Sequence, residues 1–411
     1  MAVARKPNQL RRVVGSAILI FVLLLIAWPA IEFLVRSTAA PSRPSDALER
    51  LERLALLRNW MMNVFGYGWF FAVGAVIGSY LNVVVWRLPR GKSVVDKPSS
   101  CPFCCTNIRA LDNVPVLGWI NLGGKCRACK LPISSRYPIV EATMGTIFVV
   151  LLIVELLAGG SNLPGGELTS GRGFAEVVFE MRWPIIRLYA YHAALFCWLL
   201  PWALIAWDRQ RVPRSTLLVG ALVGFGAPLI WPDLHPIAAF ASQASPRMAE
   251  LFATLVGTAT GTLLGLAVRW LENRAEDDLS RGWAMPAMLG TIGMFLGWQA
   301  VVTIAAAVLP LYAAADFIAA RRGKLVRRGL FELLLTGATL LYICCWGLLV
   351  GQVWLPGEAW SVVGLSVTAP LLLLSFVLLS FASRPQEVDW RRFQSQEAVS
   401  PPRCEPVEFI T

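Results

Sequence analysis

Charge is scarce in this chain. Asp, Glu, Lys and Arg make up 15% of its 411 residues, against about 25% in a soluble globular chain, so an ordinary soluble domain is excluded. Histidine is scarcer: His192 and His235 are the only two, and they share no ligand-pair spacing. Each reads as a packing or interfacial residue. No Gly-rich phosphate loop, no Ser/His/Asp set and no cofactor motif stands out, and no solenoid period is visible. The net charge of +11 sits in short loops between apolar runs. It is an orientation signal rather than a nucleic-acid footprint.

What is abundant is apolar sequence, 56% of the chain. Runs of roughly 20 residues, long enough to cross a bilayer core as helices, recur near 13–35, 62–86, 138–158, 185–207, 215–231, 250–271, 284–298, 300–320, 330–354 and 358–382. The fifth and seventh are short and are candidates for tilted or re-entrant segments. The expected fold is an all-α polytopic membrane protein of about 8–10 transmembrane helices. The first run begins after Arg11-Arg12 and ends near Arg36. A signal peptide cleaved after STAA and an uncleaved anchor are both open, and the long apolar core favours the anchor. The tail after Phe381 is polar and proline-bearing and reads as disordered.

Lys and Arg orient the spans. The N-terminus, the segment from Arg87 to Arg136, the loop with Arg209, Arg211 and Arg214, and RRGKLVRRG at 321–329 are all basic. They share one side if the N-terminus is cytoplasmic and the spans alternate. The exception is 36–59, basic yet on the outer side. Its LERLERLALLR has apolar residues at helical spacing and reads as an amphipathic interfacial helix. GTATGTLLG sets Gly257, Gly261 and Gly265 on one helix face, a pattern for close helix packing.

Five of the nine cysteines lie between Cys101 and Cys129. Two Cys-x-x-Cys pairs, Cys101/Cys104 and Cys126/Cys129, flank 21 residues. In a reducing cytoplasm such pairs supply four thiolates to one tetrahedral Zn²⁺, and a metal substitutes for the core that so short an insertion cannot build. A redox pair or incidental thiols is the alternative. Cys105 reads as a bystander beside a ligand.

GSYLNVVVWRLPRG (78–91), CPFC, DNVPVLGWINLGGKCRAC (112–129) and PISSRYPIVE (132–141) together resemble the prepilin leader peptidase/N-methyltransferase family. These are membrane enzymes of type IV pilus and type II secretion systems. The resemblance implies an eight-helix core in the bacterial inner (plasma) membrane, with the zinc segment cytoplasmic. It implies prepilin or pseudopilin substrates, aspartic-type cleavage of their leaders, and S-adenosylmethionine-dependent methylation of the new N-terminus. Lipid is the other expected partner; nucleic acid is not, and the oligomeric state is open. The implied organisation is an N-terminal anchor and interfacial helix (1–59), an N-terminal domain (60–145) carrying the zinc segment (87–137), a helical peptidase-like core (146–325), C-terminal spans (326–382) and a tail (383–411).

The family cleaves with two aspartates. LIAWDRQRVPRS matches the first at Asp208, but Arg214 stands where the family usually has Asp. The second belongs to a Gly-x-Gly-Asp motif opening the helix that reads here AMPAMLGTIGMFLGWQ (284–299). Counting back, its aspartate position falls on Gly282 and the preceding glycine on Arg281, so the motif is missing. Asp278, then Asp277, are the nearest substitutes, a helical turn upstream. A solvated acidic loop balancing Arg274 and Arg281 is the alternative for them, as an interfacial ion pair is for Asp208. Asp316 reads as a partner of Arg321 or Arg322. A peptidase divergent at its second aspartate and a catalytically inactive assembly or substrate-binding subunit are both consistent with these residues.

Overall fold

A computed structural model describes residues 46–95, 99–101, 103–164, 180–237, 245–273, 283–322, 329–350 and 369–375, with isolated positions 34, 174, 177 and 377. Among them the chain is almost wholly helical, without a β-strand. Six helices are long and apolar enough to cross a membrane, and two shorter apolar helices accompany them. The fold is a multi-pass helical membrane protein. Contacts divide the chain into two compact units, one with residues to Val83 and Lys92–Phe148, the other with Val84–Gly91 and the chain from Val149 onward.

In the first unit, helix α1 (Asp46–Arg87) packs antiparallel on α3 (Arg136–Leu151). Glycine makes the approach close. A Cβ on Gly74 would stand 2.7 Å from the Met144 carbonyl oxygen, and one on Gly78 2.9 Å from Glu141 Cα. Gly145 receives the Phe71 ring, and Asn82 Nδ2 donates to the Tyr137 carbonyl at 3.2 Å. The cysteine segment joins these helices and contains a short helix α2 (Leu117–Asn121).

In the second unit, α3 widens into a π-helical turn, Leu152–Leu157. There follow α4 (Trp183–Trp207), α5 (Arg214–Ile230), α6 (Pro246–Asn273), α7 (Ala284–Leu296), α8 (Trp298–Arg321) and α9 (Leu330–Val350). At 1.5 Å per residue α7 is about 20 Å long, well short of a bilayer core of about 30 Å. It is buried along almost its whole length. α6 and α7 meet backbone to backbone: a Cβ on Gly257 would strike the Gly293 carbonyl, one on Gly261 the Leu289 carbonyl, and one on Gly265 Pro286 Cα at 2.5 Å. This is the packing that the four-residue glycine spacing predicts. Gly297, with φ 87°, is the single residue between α7 and α8, and Trp298 then packs on Ala253 of α6.

Eight of the ten apolar runs coincide with helices. The sequence around 46–59 is helical as expected, but it does not form a separate interfacial element. It runs without a break into the next span, giving one helix of 42 residues, because neither proline nor a turn sequence separates Arg58 from Met62. The first run (13–35), most of the last (358–382), the tail, Gly282, Asp277 and Asp278 lie outside the described residues.

Candidate functional site

The two Cys-x-x-Cys pairs fold into matching knuckles. In the first, Cys105 N–H donates to Cys101 O at 2.9 Å and Cys101 N–H to Thr106 O at 3.0 Å, while Ser100 and Asn107 form a β-bridge. Each contact recurs 25 residues later: Lys130 N–H to Cys126 O at 3.1 Å, Cys126 N–H to Leu131 O at 2.9 Å, and a bridge between Lys125 and Pro132. Cys105 and Lys130 both turn the chain with positive φ, 58° and 61°.

The knuckles face each other and bring together Cys101, Cys104, Cys126 and Cys129, whose sulfurs all lie within 4.8 Å of one another. Cross-knuckle distances are 3.8 Å for Cys101–Cys129 and 3.9 Å for Cys104–Cys126. Tetrahedral Zn²⁺ with Zn–S of about 2.3 Å requires S···S of about 3.8 Å, so the four residues fit the ion. Cys105 is not one of the four. The protein polarises the thiols unevenly. The Thr106 hydroxyl and backbone N–H stabilise the Cys104 thiolate and lower its pKa to about 6. Backbone N–H groups of Cys129 and Ala128 lower that of Cys126. Cys129 has a lowering hydrogen bond from Leu131, but burial and the neighbouring sulfurs outweigh it and push it up to about 11. Four thiolates cannot coexist at this spacing without a cation; a dication removes the repulsion.

The segment between the knuckles is braced. Arg127 forms a two-pronged pair with Asp112, Nε–Oδ2 at 2.7 Å and Nη2–Oδ1 at 2.5 Å, and the guanidinium holds the Asp112 carboxyl below its usual range. Trp119 Nε1 donates to Ile133 O at 3.1 Å. Val116 has φ 63° and ψ −55°, a conformation that a β-branched residue rarely adopts. Its N–H donates to Glu141 Oε2 at 2.7 Å, so a carboxylate at the start of α3 holds the strained turn.

Asp208 is the residue at the C-terminal end of α4 and is half-buried. Gln210 N–H bonds Ile205 O at 3.0 Å and Arg209 N–H bonds Ala206 O at 2.9 Å, with Arg209 at φ 57°. This double closure is a Schellman end, here with arginine where glycine is usual, and it fixes the position of Asp208. α5 starts close by: Thr216 Oγ1 donates to Pro213 O at 2.7 Å and accepts from Trp202 Nε1 at 3.1 Å. The residue preceding α9, Gly329, sits against the Trp207 backbone with φ 83°, where no Cβ would fit. One turn on, Glu332 is buried, 8% exposed.

The structure brings the four cysteines together and sets Asp208 at a helix end; Asp277 and Asp278 fall on undescribed residues. Sequence reasoning missed the partners of both histidines. His192 Nδ1 lies 2.5 Å from Glu155 Oε1, and His235 Nδ1 lies 2.5 Å from Glu250 Oε2. The available signal was that Glu155 and Glu250 stand within or at the edge of apolar runs, where an acid requires a partner.

Comparison with known proteins accounts for the arrangement. Residues 72–155 match the family model described as the bacterial peptidase A24 N-terminal domain. A prepilin leader peptidase/N-methyltransferase of Klebsiella pneumoniae is 30% identical over 259 residues, covering 61% of this chain and 95% of that protein. One of Burkholderia pseudomallei is 29% identical over 280 residues, 62% of this chain and 76% of that protein. One of Myxococcus xanthus is 43% identical over 82 residues, 20% of this chain and 24% of that protein. No solved structure matches significantly. With a relative matched over nearly its whole length and the N-terminal domain recognised separately, the chain belongs to the prepilin leader peptidase/N-methyltransferase family.

Proposed function

We propose that this protein is a prepilin leader peptidase of the bacterial inner membrane that acts on pilin-like proteins of a type IV pilus or type II secretion system at the cytoplasmic face. The observation that carries the reading is Asp208, the family's first catalytic position, fixed by a double hydrogen-bonded closure at the end of α4. Aspartyl hydrolysis needs two carboxyl groups around one water. One takes the water's proton as its oxygen attacks the peptide carbonyl; the other protonates the departing amide nitrogen. Asp208 is proposed as one. Asp278, then Asp277, are proposed as the other, in the sequence that precedes α7. Glu332, buried in the first turn of α9, is the alternative proposed among the described carboxyls.

Methylation of the released N-terminus with S-adenosylmethionine is the second proposed activity, supported by the names of the relatives. Zn²⁺ is the proposed resident metal of Cys101, Cys104, Cys126 and Cys129, where it would cross-link the two knuckles. The domain divisions at 59, 145, 325 and 382 belong to the same proposal.

A second reading is favoured by one observation: Leu279-Ser280-Arg281-Gly282 stands where relatives of the peptidase type have Gly-x-Gly-Asp. On that reading the protein is an inactive subunit that binds substrates or aids assembly. The test is cleavage of several candidate pilin-like proteins by the purified chain. Activity that falls by about 10² or more in Asp208→Asn, with unchanged metal content, supports the peptidase. Loss in Asp278→Asn and retention in Glu332→Gln would name Asp278 as partner; the reverse would name Glu332. Leader binding without cleavage selects the inactive subunit.

A further inference from the structure

The turn between the two zinc knuckles lies deeper than a loop in water would. The candidate membrane span that contains α3 runs from Arg136 to Leu157, 22 residues, or about 33 Å at 1.5 Å per residue. A bilayer core is about 30 Å thick, so Arg136 stands close to one edge of it. Glu141 follows further along the same helix, about 7 Å inside that edge. Its carboxyl is where the knuckle segment meets the membrane helices. Val116 N–H donates to Glu141 Oε2 at 2.7 Å, and the Ser79 hydroxyl of α1 donates to the same carboxyl. Ser79 in turn lies about 12 Å along α1 before that helix ends in Arg87.

The backbone of this turn is closed on itself, as a backbone away from water must be. Pro115 has no N–H. Leu117 N–H donates to Pro115 O at 2.6 Å, Gly118 N–H to Val114 O at 2.7 Å and Ile120 N–H to Val116 O at 3.2 Å. The Leu117–Pro115 bond encloses a single residue, a γ-turn, and holds Val116 at φ 63° and ψ −55°. In water, Leu117 N–H could bond solvent, and a β-branched residue would have no cause to adopt this conformation. Without water, the internal bond is the one available. The Trp119 indole is satisfied as well, by Ile133 O beyond the second knuckle.

Side chains say what surrounds the turn. VPVLGWI (114–120) carries no ionisable residue, yet Val114 is 40% and Leu117 55% exposed. Arg109 before the turn and Lys125 and Lys130 after it are exposed too. The nearest acid, Asp112, is neutralised by Arg127. Gly118 packs on the Asp112 carbonyl, where no Cβ would fit, so this ion pair marks the polar border of the apolar turn. Exposed apolar side chains at the level of two membrane helices, with basic side chains on both flanks, complement the acyl chains and anionic headgroups of one leaflet.

We infer that residues 114–120 form a re-entrant wedge, inserted beside α1 and α3 into the leaflet in which α3 begins. Val114 and Leu117 lie against acyl chains, and Arg109, Lys125 and Lys130 lie among the headgroups. Glu141 is the positioning residue, since its carboxyl sets the depth of Val116. The zinc knuckles are then held against the bilayer surface, tied to the wedge by Trp119–Ile133 and Arg127–Asp112. The inference is independent of the proposed peptidase chemistry.

The test uses the full-length protein in lipid nanodiscs, with a small fluorescent amino acid in place of Leu117. A second variant carries it in place of Val114, so that a failure of either to fold leaves the other. A third, at Val76, 56% exposed on α1, is the reference within a membrane span. Quenching is measured with a nitroxide on the lipid headgroup, with a nitroxide near the top of the acyl chain, and with iodide in the water. The expected result at Leu117 and Val114 is stronger quenching by the acyl-chain nitroxide than by the headgroup nitroxide, and little by iodide. The two nitroxides together should place the probe about 5–10 Å into the headgroup and acyl boundary. Stronger quenching by the headgroup nitroxide or by iodide overturns the proposal. So does protection from all three quenchers, which would mean that protein covers the turn, either a second copy or an apolar segment of a substrate.

Discussion

Four cysteines carry the most legible part of this molecule. Their spacing alone predicts a common centre, and the structure places their sulfurs at distances that tetrahedral zinc requires. The differences between the thiols were not legible, because they depend on which backbone N–H groups the turns aim at each sulfur. Those differences make a prediction. In protein stripped of metal, Cys104, lowered to about 6, is mostly thiolate at pH 7, whereas Cys129, raised to about 11, is almost wholly thiol. Cys104 should therefore be alkylated by iodoacetamide on the order of tenfold faster, since the gain in thiolate outweighs the lower nucleophilicity of the weaker base. Peptide mass spectrometry measures the order. Zinc should protect all four, and acidification should release it as the thiolates take up protons. Cys101→Ser should lose the metal, about one ion per chain, and Cys105→Ser should keep it. Full metal content in Cys101→Ser/Cys126→Ser would falsify the assignment. The Glu–His pairs, by contrast, could not be paired from sequence. Glu155 and His192 are 37 residues apart, and no local pattern joins a π-helical turn to the middle of a later helix.

At the scale of elements, helix positions followed from apolar runs, and a close contact on one face of α6 followed from glycine spacing, its partner α7 being shown only by the structure. Both signals are periodic, and periodicity survives without knowledge of the partner. The continuity of α1 was harder to see. An amphipathic stretch and a span look like two elements when judged by polarity, but the backbone breaks only where a turn sequence or proline breaks it. The glycine contact is the more demanding test, because α7 follows in sequence on the segment that holds Asp277 and Asp278. Gly261→Leu would drive a side chain into the Leu289 carbonyl and separate the two helices. It should lower thermal stability by about 1–3 kcal/mol or more, as overpacking does, and weaken any prepilin cleavage by displacing the start of α7. Gly226→Ala, in α5, is the control, since a Cβ there meets nothing within 4 Å. Equal melting temperatures for the two variants would show that the close approach of α6 and α7 contributes no stability.

At the scale of the whole molecule, the orientation in the membrane rests on Lys and Arg. The fold supplies a geometric constraint within the second unit. Gly329 lies against the Trp207 backbone, so the end of α4 with Arg209, Arg211 and Arg214 and the end of the 321–329 segment are at one level. The basic residues at the end of α4 and the described end of the second segment, Gly329, then face the same side, whichever side that is. An anionic cytoplasmic leaflet attracts Lys and Arg, which is the ground for proposing that this side is the cytoplasmic one. Single cysteines placed at Ser215 and Gly323 should therefore resist an impermeant maleimide applied to intact cells and react once the cells are opened. Labelling of one site but not the other from outside would contradict the Gly329–Trp207 contact. External labelling of both would leave the packing intact and reverse the molecule in the membrane, which would take Asp208 away from any leader presented in the cytoplasm and end the peptidase proposal.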